Sequence, residues 1–346
     1  MRIAVIRNRE NQGIIAKYGR PSPEVYGKQS VQRIIDGLRE AGHEVAVFEG
    51  DMTMLPGLKE YLAPDPITGI PGGLVFNLSY GIQGDCRYTH VPAMLEMAGI
   101  PYTGSNPLGH ALALDKVVTK ILMMQAGVPT PAFAVLGARG GDVSHMKYPM
   151  VVKPRHESSS FGLRLVQTQD ELDDAVMAIV NEYQQTALVE EFIAGREVAV
   201  GILGSSPSVC LPLVEIDFGT RSHGMMTHAD KFHKSEQEPM RICPAAIDES
   251  LAAKLRDISL KTFHACHLRD YARVDIRIDP EGNPFVLEIN SMASLGWGGA
   301  YVLAARQAGF SFPELLDTIV QSTLRRNIGV NSSLVAASPS TAHSMS

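Results

Sequence analysis

The sequence predicts an α/β protein, with an open, mostly parallel N-terminal sheet followed by two blocks that mix helices and strands. Three observations predict this class. Short apolar runs alternate with helical patterns over the first hundred residues, as they do in parallel sheets. Two further blocks begin near residues 106 and 205, each with strands and helices of its own. The chain has 346 residues, which is enough for two or three domains with separate cores.

The first block, residues 1–105, contains the alternating elements. Apolar residues at positions 31, 34, 35 and 38 mark one face of a helix that ends at Gly42. A short helix over Pro92–Ala98 stops at Gly99. The Pro- and Gly-rich residues 64–73 form a loop inside this block. A buried strand is predicted at Arg2–Ile6, and further strands at Glu44–Phe48 and Leu74–Leu78.

The second and third blocks, residues 106–204 and 205–326, each mix the two kinds of element. Thr168 and Glu171 form a capping-box pattern that opens a helix reaching about Tyr183. Residues 219–239 lack periodicity and are predicted to be a long mobile loop, and residues 327–346 a frayed tail. The other predicted helices are Lys116–Ala126, Ser250–Cys266, Ala300–Ala308 and Pro313–Arg325, and the strands are Met150–Lys153, Leu163–Val166, Ala187–Glu191 and Val198–Leu203.

Composition excludes several classes of protein. Hydrophobic residues make up 45% and charged residues 20% of the chain, with a net charge of −6, as in soluble globular proteins. No basic run or apolar span indicates a nucleic-acid or membrane partner. The four cysteines are widely spaced without a CxxC, so we expect reduced thiols, a cytoplasmic location and neither a disulfide framework nor a zinc cluster. The N-terminus is predicted to be a strand rather than a signal peptide.

Residues 273–290 predict a β-hairpin with a turn at residues 280–283. A two-residue loop at Glu281 and Gly282 sets the register of its pairs. One face is then wholly apolar, and the other carries polar side chains. The apolar pairs are Val274 with Ile289, Ile276 with Leu287 and Ile278 with Phe285; the polar pairs are Asp275 with Glu288 and Arg273 with Asn290.

The acid pair of this hairpin indicates a metal site. Asp275 and Glu288 repel each other when directly opposed. A divalent cation between them turns that repulsion into attraction, and oxygen ligands from these residues and Asn290 suit Mg²⁺ or Mn²⁺. The alternative is a solvated polar face in a shifted register. The apolar pairing favours the metal because it specifies the register.

Three other stretches carry candidate nucleotide contacts. Lys153 ends an apolar strand beside a Ser- and Gly-rich turn, where a lysine and backbone N–H groups can hold a phosphate. Residues 188–193, with Glu197 beyond, combine backbone and carboxylates that can read an adenine edge and a ribose. Lys231, in the predicted mobile loop, can close over a polyphosphate. Each has an ordinary alternative, respectively a surface lysine, an acidic hinge and a solvated loop lysine.

Together and in order, these stretches resemble the ATP-grasp superfamily and, within it, the D-alanine–D-alanine ligases. The resemblance covers about residues 1–325. Its most specific parts are Ile100-Pro-Tyr-Thr-Gly104, Ala113-Leu-Asp-Lys116, Val152-Lys153-Pro154, Glu157-Ser-Ser-Ser-Phe-Gly162, Arg273-Val-Asp275, Leu287-Glu288-Ile-Asn290 and Ala304-Ala-Arg-Gln-Ala-Gly309. The resemblance implies an α+β ATP-grasp fold in which two subdomains clasp ATP. It also implies a cytoplasmic homodimer that acts on small amino-acid-like substrates for the cell wall.

The resemblance further implies a role for each matching residue. Lys116 and Lys153 hold nucleotide phosphates, and Ser159 and Ser160 lie in the loop that covers them. Glu190, Glu191, Phe192 and Ile193 contact adenine, Glu197 holds the ribose, and Lys231 with its neighbour Phe232 reaches in from the flexible loop. Asp275, Glu288 and Asn290 bind two Mg²⁺. Arg273 stabilises the reacting centre, in line with a ligase that activates a carboxylate as an acyl phosphate and couples it to an amine.

The sequence departs from the family pattern in the region that corresponds to the family's substrate-binding residues. Tyr80 stands where the family has a histidine before glycine, and the following stretch, residues 82–90, is about two residues longer. Gly299 takes the position of a serine that holds the second amino acid's carboxylate. Trp297, followed by Gly298, either forms a pocket wall or simply packs. Glu24, in a loose echo of the N-terminal motif, is a candidate for a substrate ammonium group.

These departures leave three hypotheses open. The chain is a D-alanine–D-alanine ligase that holds its substrate by other groups, an ATP-grasp ligase with other amino-acid substrates in a specialised pathway, or a nucleotide-binding regulator without turnover. The intact set of Arg273, Asp275, Glu288 and Asn290 argues against the third, because a non-catalytic binder does not need all four.

Overall fold

Three β-sheets organise the part of the chain that the structure describes. The computed structural model describes residues 1–8, 24–220, 224–225 and 239–328. The predicted contacts of Lys231 and Phe232 lie outside these residues, as do residues 329–346 of the predicted tail and most of the predicted mobile loop. Residues 327 and 328, predicted as the start of the tail, instead end a helix. None of the helices in the described ranges combines the length and apolar composition that crossing a bilayer requires.

The first sheet is parallel, as predicted. Its order is β2-β1-β3, formed by β1 (Arg2–Arg7), β2 (Glu44–Glu49) and β3 (Gly73–Asn77). Residues 3–6 and 74–76 are fully buried, which explains their continuous apolar runs, since strands covered on both faces need not alternate. The helices of this part are α1 (Lys28–Glu40), α2 (Met54–Tyr61) and α3 (His90–Ala98).

The second sheet is antiparallel. It has the order β4-β7-β5-β6, with β4 (Phe133–Leu136), β5 (Met150–Pro154), β6 (Arg164–Val166) and β7 (Ala187–Glu191). Asn106, Asp115 and Thr168 cap the helices that precede or cover it, because their side chains accept backbone N–H groups of the first turns. These helices are α4 (Pro107–Leu114), α5 (Lys116–Gln125) and α6 (Gln169–Tyr183).

The third sheet, also antiparallel, contains the predicted hairpin. Its order is β11-β10-β8-β12-β13, with β9 paired to β8. The strands are β8 (Arg196–Leu203), β9 (Val209–Cys210), β10 (Val214–Asp217), β11 (Met240–Ile242), β12 (Tyr271–Ile278) and β13 (Pro284–Asn290). The helices are α7 (Glu249–Ala265), α8 (Ala300–Gln307) and α9 (Phe312–Ile328). Sequence reasoning missed α2, α4, β4, β9, β10 and β11, which are short.

The register of the hairpin is partly as predicted. Asp275 pairs with Glu288 and Arg273 with Asn290, which confirms the polar pairs. The loop, however, has three residues, because Asp279 and Asn283 still pair through a 3.0 Å backbone hydrogen bond. Gly282 adopts φ +85°, as the last residue of a three-residue hairpin loop often does.

The longer loop shifts the apolar pairs by one residue. Ile276 faces Val286 and Ile278 faces Pro284, so the predicted pairing of Ile276 with Leu287 and of Ile278 with Phe285 is wrong. A β-bulge at Leu287 then restores the register before the acid pair. As a result Leu287 turns away from the apolar face and lines a cavity beside Glu288.

The C-terminal helices return to the N-terminal sheet. Leu315, Leu316 and Ile319 of α9 are buried in one apolar cluster with β1, β3 and α1. The two helices pack so closely that a Cβ on Gly37 would lie 2.8 Å from Leu316 Cδ1. Strand β8, which precedes the predicted boundary at residue 204, pairs with β10 and β12. The division of the chain at residues 105, 204 and 326 stays a prediction.

Candidate active site

A cavity of about 460 Å³ lies where the three sheets meet. Its walls come from the loop before α1, the end of β3, the β5–β6 loop, β7, β8 and the hairpin β12–β13. Sixteen of the residues singled out in the sequence line it: Glu24, Tyr80, Lys116, Lys153, Ser159, Ser160, Glu190, Glu191, Phe192, Ile193, Glu197, Arg273, Asp275, Glu288, Asn290 and Gly299.

The acid pair sits on the cavity face of the hairpin. Arg273 donates two hydrogen bonds of 2.7 Å to the two oxygens of Asp275, which lies two residues further along the same face. These contacts raise the pKa of Arg273 despite its burial. The amide nitrogen of Asn290 lies 3.1 Å from Asp275 Oδ2 and 3.5 Å from Glu288 Oε1. Both carboxylates therefore converge on one point.

The donor set at that point fits a hard divalent cation. Asp275 and Glu288 bring carboxylate oxygens from adjacent strands, and the amide of Asn290 presents oxygen instead of nitrogen when it rotates. No cluster of three or more His, Cys, Asp or Glu side chains with metal-binding geometry occurs among the described residues. The predicted site thus consists of two carboxylates and one amide.

Two buried lysines flank a buried carboxylate beside this point. Lys153 Nζ lies 2.5 Å from Glu190 Oε2, and Lys120 forms an ion pair with the other oxygen. Burial lowers the pKa of Lys120 to about 8, although Glu190 opposes the shift. Burial also acts on Lys153, but Glu190 and Glu288 outweigh it and raise its pKa. Because both Glu190 oxygens are paired with lysines, the backbone of residues 190–193, rather than this side chain, is the part available to a ligand.

Sequence reasoning missed Lys120. It lies four residues after Lys116 in α5, and this spacing places both lysines on the same helix face. Lys120 also donates a 2.5 Å hydrogen bond to Thr130 Oγ1, which fixes its direction. Lys116 donates to the carbonyl oxygen of Glu157. Burial lowers the pKa of Lys116, which lines the cavity and therefore holds its positive charge there at a desolvation cost.

The β5–β6 loop is an unusual backbone segment. Ser159 and Ser160 have φ values of 57° and 56°, which is the left-handed region that residues other than glycine rarely adopt. Strain of this kind is concentrated at ligand-binding loops. Both serines line the cavity next to Lys116 and Lys153. Hydroxyl groups, backbone N–H groups and two lysines are the components of a phosphate site.

A second missed residue, Arg277, organises the far end of the cavity. It is buried and donates a 3.0 Å hydrogen bond to the carbonyl oxygen of Ile193. It also lies 3.3 Å from Glu197 and 5.1 Å from the ring centroid of Phe192. Its signal was the alternation of residues 273, 275 and 277, which places all three side chains on one strand face. The side chain of Glu191 accepts the N–H of Lys147 at 2.8 Å.

The other end of the cavity is aromatic and carries the Glu24 carboxylate. The rings of Tyr26 and Tyr80 are stacked at 5.5 Å with an interplanar angle of 5°, and Tyr88 lies 5.4 Å from Tyr80. The Glu24 carboxylate accepts hydrogen bonds from the hydroxyl groups of Tyr88 and Ser158. Burial raises the pKa of all three tyrosines, so their hydroxyl groups stay protonated.

Trp297 packs on the outer surface and is not among the residues that line the cavity. Its ring is 55% exposed and lies between the guanidinium groups of Arg33 and Arg306, at 5.2 and 5.0 Å. Its edge contacts Phe312. Gly298 has φ +83° and does not line the cavity either, whereas Gly299 does and caps α8. The substrate contacts of Trp297, Gly298 and Gly299 stay predictions.

Comparison with known proteins places these features in a family. The sequence model described as D-ala D-ala ligase C-terminus matches residues 122–321, more than half of the chain. A D-alanine–D-alanine ligase of Aquifex aeolicus is 32% identical over 89% of this chain and 99% of its own length. An uncharacterized protein of Sinorhizobium fredii, y4sG, is 48% identical over 95% of this chain and 98% of its own.

A solved structure shows the same fold. The D-alanine–D-alanine ligase from Bacillus anthracis, crystallised in complex with ATP, superposes with a TM-score of 0.71 at 22% identity. The match covers 96% of this chain and 99% of that one. The predicted fold class is therefore confirmed. The chain belongs to the D-alanine–D-alanine ligase family of ATP-grasp enzymes and is an ATP-dependent ligase.

Proposed function

We propose that this enzyme couples two amino acids, with D-alanine as the first candidate for both, through an acyl-phosphate intermediate. One observation supports this most directly. A single cavity joins buried lysines, a strained serine loop, two opposed carboxylates and, at its other end, the carboxylate of Glu24. Nucleotide and amino-acid substrates bound at the two ends would meet at Arg273.

The first step is phosphoryl transfer. A carboxylate oxygen of the first amino acid attacks the γ-phosphorus, the bond to the bridging oxygen breaks, and ADP leaves. The protein contributes position and positive charge, since such a transition state needs little else. Lys116 and Lys153, held by Glu157 and Glu190, supply the charge at the phosphates. Ser159 and Ser160 enclose them.

The second step forms the amide. The unprotonated amine of the second amino acid attacks the acyl carbon, phosphate leaves with the pair of electrons of the carbon–oxygen bond, and the nitrogen loses a proton. Arg273 is placed to donate to the oxyanion of the tetrahedral intermediate. Asp275 orients its guanidinium group by two hydrogen bonds. A contact of this kind is worth about 3 kcal/mol to the transition state.

Asp275, Glu288 and Asn290 would hold Mg²⁺, or Mn²⁺ in its place. Bound there, the metal would supply positive charge against the phosphate oxygens. The direct opposition of the two acids supports this assignment, because like charges placed so are unfavourable without a cation. Glu197 and the backbone of residues 190–193 would receive the ribose and adenine, with Arg277 holding both in place.

A second candidate is a ligase with a different amine acceptor. Gly299 lines the cavity without a side chain, and Trp297 packs on the outer surface. The acceptor end consequently lacks the hydroxyl contact expected there for an amino-acid carboxylate.

We further propose a cytoplasmic homodimer. The resemblance supports the dimer, and four free cysteines support a reducing compartment.

The test is ADP release by purified enzyme with ATP, Mg²⁺ and a panel of D-amino acids, L-amino acids and simple amines. Stimulation by D-alanine alone supports the first candidate. Stimulation only by other acids or amines supports the second. Tight ATP binding without ADP release for any pair contradicts both. Sedimentation velocity of the same preparation tests the dimer.

A further inference from the structure

Arg87 is the largest fully buried side chain that neither the family motifs nor the nucleotide site explains. It lies in the longer segment after β3, is 2% exposed, and begins a single helical turn at Arg87–Thr89. Its backbone is held in place by Gly81, whose φ is +74° and whose missing Cβ would lie 1.8 Å from the carbonyl oxygen of Arg87. No other residue fits at Gly81 without moving this segment.

The guanidinium group of Arg87 crosses to the β5–β6 loop. Nη1 donates a 2.8 Å hydrogen bond to the carbonyl oxygen of His156. Nη2 lies 3.5 Å from Glu157 Oε2 and 3.9 Å from Glu24 Oε2. The group also lies 5.2 Å from the ring centroid of Tyr88. One cation thus links an N-terminal segment to the loop that encloses the phosphate end of the cavity.

The positive charge of Arg87 offsets two carboxylates that lie close to it. Glu24 and Glu157 both line the cavity and both face the same nitrogen, with side chains 16% and 11% exposed. Without a cation between them, two partly desolvated carboxylates would repel each other. Nε and Nη2 of Arg87 are buried and make no hydrogen bond to any described residue. Arg87 therefore acts mainly as a buried charge, anchored by its one strong bond to the loop.

We propose that Arg87 is a positioning residue that holds the loop of residues 155–162 and the Glu24 carboxylate together. The loop would then cover the nucleotide only while Glu24 stands at the amino-acid end. This inference rests on the proposed function for its catalytic consequence, but its structural consequence can be measured without turnover.

The experiment compares Arg87→Met and Arg87→Lys with the wild type, and uses Arg139→Met as control. Arg139 forms a surface ion pair with Asp174 at 2.6 Å, and its side chain is 59% exposed. Hydrogen exchange of residues 155–162 and calorimetric binding of ATP with Mg²⁺ are measured first. Steady-state kcat and KM follow, with whichever amino acids release ADP.

Arg87→Met should raise hydrogen exchange in residues 155–162 and weaken the binding of ATP. It should also lower kcat by about 100-fold, the usual effect of a small misplacement of reacting groups. Arg87→Lys should recover part of each effect, because it keeps the charge and loses the planar donors. A residue with only a structural role would raise exchange throughout the sheets and leave kcat of the folded fraction unchanged. That pattern, or unchanged exchange in residues 155–162, would overturn the proposal.

Arg87→Met leaves the carboxylates of Glu24 and Glu157 without the cation that lies between them and can fail to fold. The double variant Arg87→Met with Glu157→Gln removes that repulsion, and should fold and still show raised exchange in the loop. Wild-type-like exchange in the double variant contradicts the proposal. If the wild type binds ATP but releases no ADP with any substrate, the proposed function fails, while the exchange comparison still decides the role of Arg87.

Discussion

At the scale of the residue, the acid pair of the hairpin is a site of electrostatic conflict. Asp275 and Glu288 face each other on adjacent strands. Arg273 and Asn290 offset part of the charge on Asp275. Glu288 contributes instead to the field that raises the pKa of Lys153. Its position beside two lysines and a second carboxylate suits a metal ligand better than a residue that stabilises the fold.

Glu288→Gln should therefore lower turnover by about 100-fold or more, since it removes one of the two carboxylates proposed to hold a metal at the reacting phosphate. The free energy of unfolding should change little, because the variant also removes a repulsion. ADP release and urea unfolding measure the two effects. Glu281→Gln, in the exposed hairpin turn, is the matched control and should be neutral in both. A fully active Glu288→Gln enzyme would remove the metal assignment.

At the scale of the element, the hairpin combines a three-residue loop with a β-bulge. The extra loop residue shifts the pairing by one, and the bulge at Leu287 shifts it back before Glu288. Neighbouring residues thus differ in environment: Val286 is fully buried in the core, and Leu287 faces the cavity. A plain two-residue loop would place Leu287 in the core instead.

Replacement by serine should mainly lower stability at Val286 and mainly weaken ATP binding at Leu287. Val286→Ser should cost about 2–4 kcal/mol of unfolding free energy, because it leaves a cavity and a hydroxyl in the core. Leu287→Ser should cost about 1 kcal/mol or less of unfolding free energy. It should weaken ATP binding about 10-fold through a lost apolar contact. Urea unfolding and calorimetric ATP binding distinguish them. Greater destabilisation by Leu287→Ser would mean that the bulge is absent.

At the scale of the whole molecule, one buried carboxylate ties the C-terminal helix to the N-terminal part. Asp270 is fully buried and accepts hydrogen bonds from Ser205, Ser322, Thr323 and the N–H of Gly104, all between 2.8 and 3.0 Å. Arg326 of α9 forms an ion pair with it at 3.0 Å and also donates to the carbonyl oxygen of Tyr102. This network joins segments far apart in the chain.

Asp270→Ala should lower the free energy of unfolding by about 3–5 kcal/mol, because it leaves the partly buried Arg326 guanidinium without its charged partner. Urea unfolding followed by circular dichroism measures the change. Asp174→Ala, which breaks the exposed pair with Arg139, is the control and should cost about 0.5 kcal/mol or less. A loss in Asp270→Ala no larger than in this control would show that the network does not stabilise the molecule.

The amino-acid sequence alone determined those parts of the structure that depend on local patterns. Strands β1, β2 and β3, the cap at Thr168 and the pairing of Asp275 with Glu288 follow from periodicity and turn residues, which act over a few positions. The candidate nucleotide residues were found because lysines, serines and acids occur in an order that resembles one family. The acid pair was predicted correctly although the loop length was not, because the bulge compensates.

The tertiary structure alone decided the rest. The ion pairs of Lys120 with Glu190 and of Arg87 with the β5–β6 loop join residues about 70 positions apart. The return of α9 to the N-terminal core and the outward packing of Trp297 depend equally on distant neighbours. None of these has a local pattern, because the energy that places such a side chain comes from desolvation and charge contributed by other elements. Only the folded chain brings those elements together.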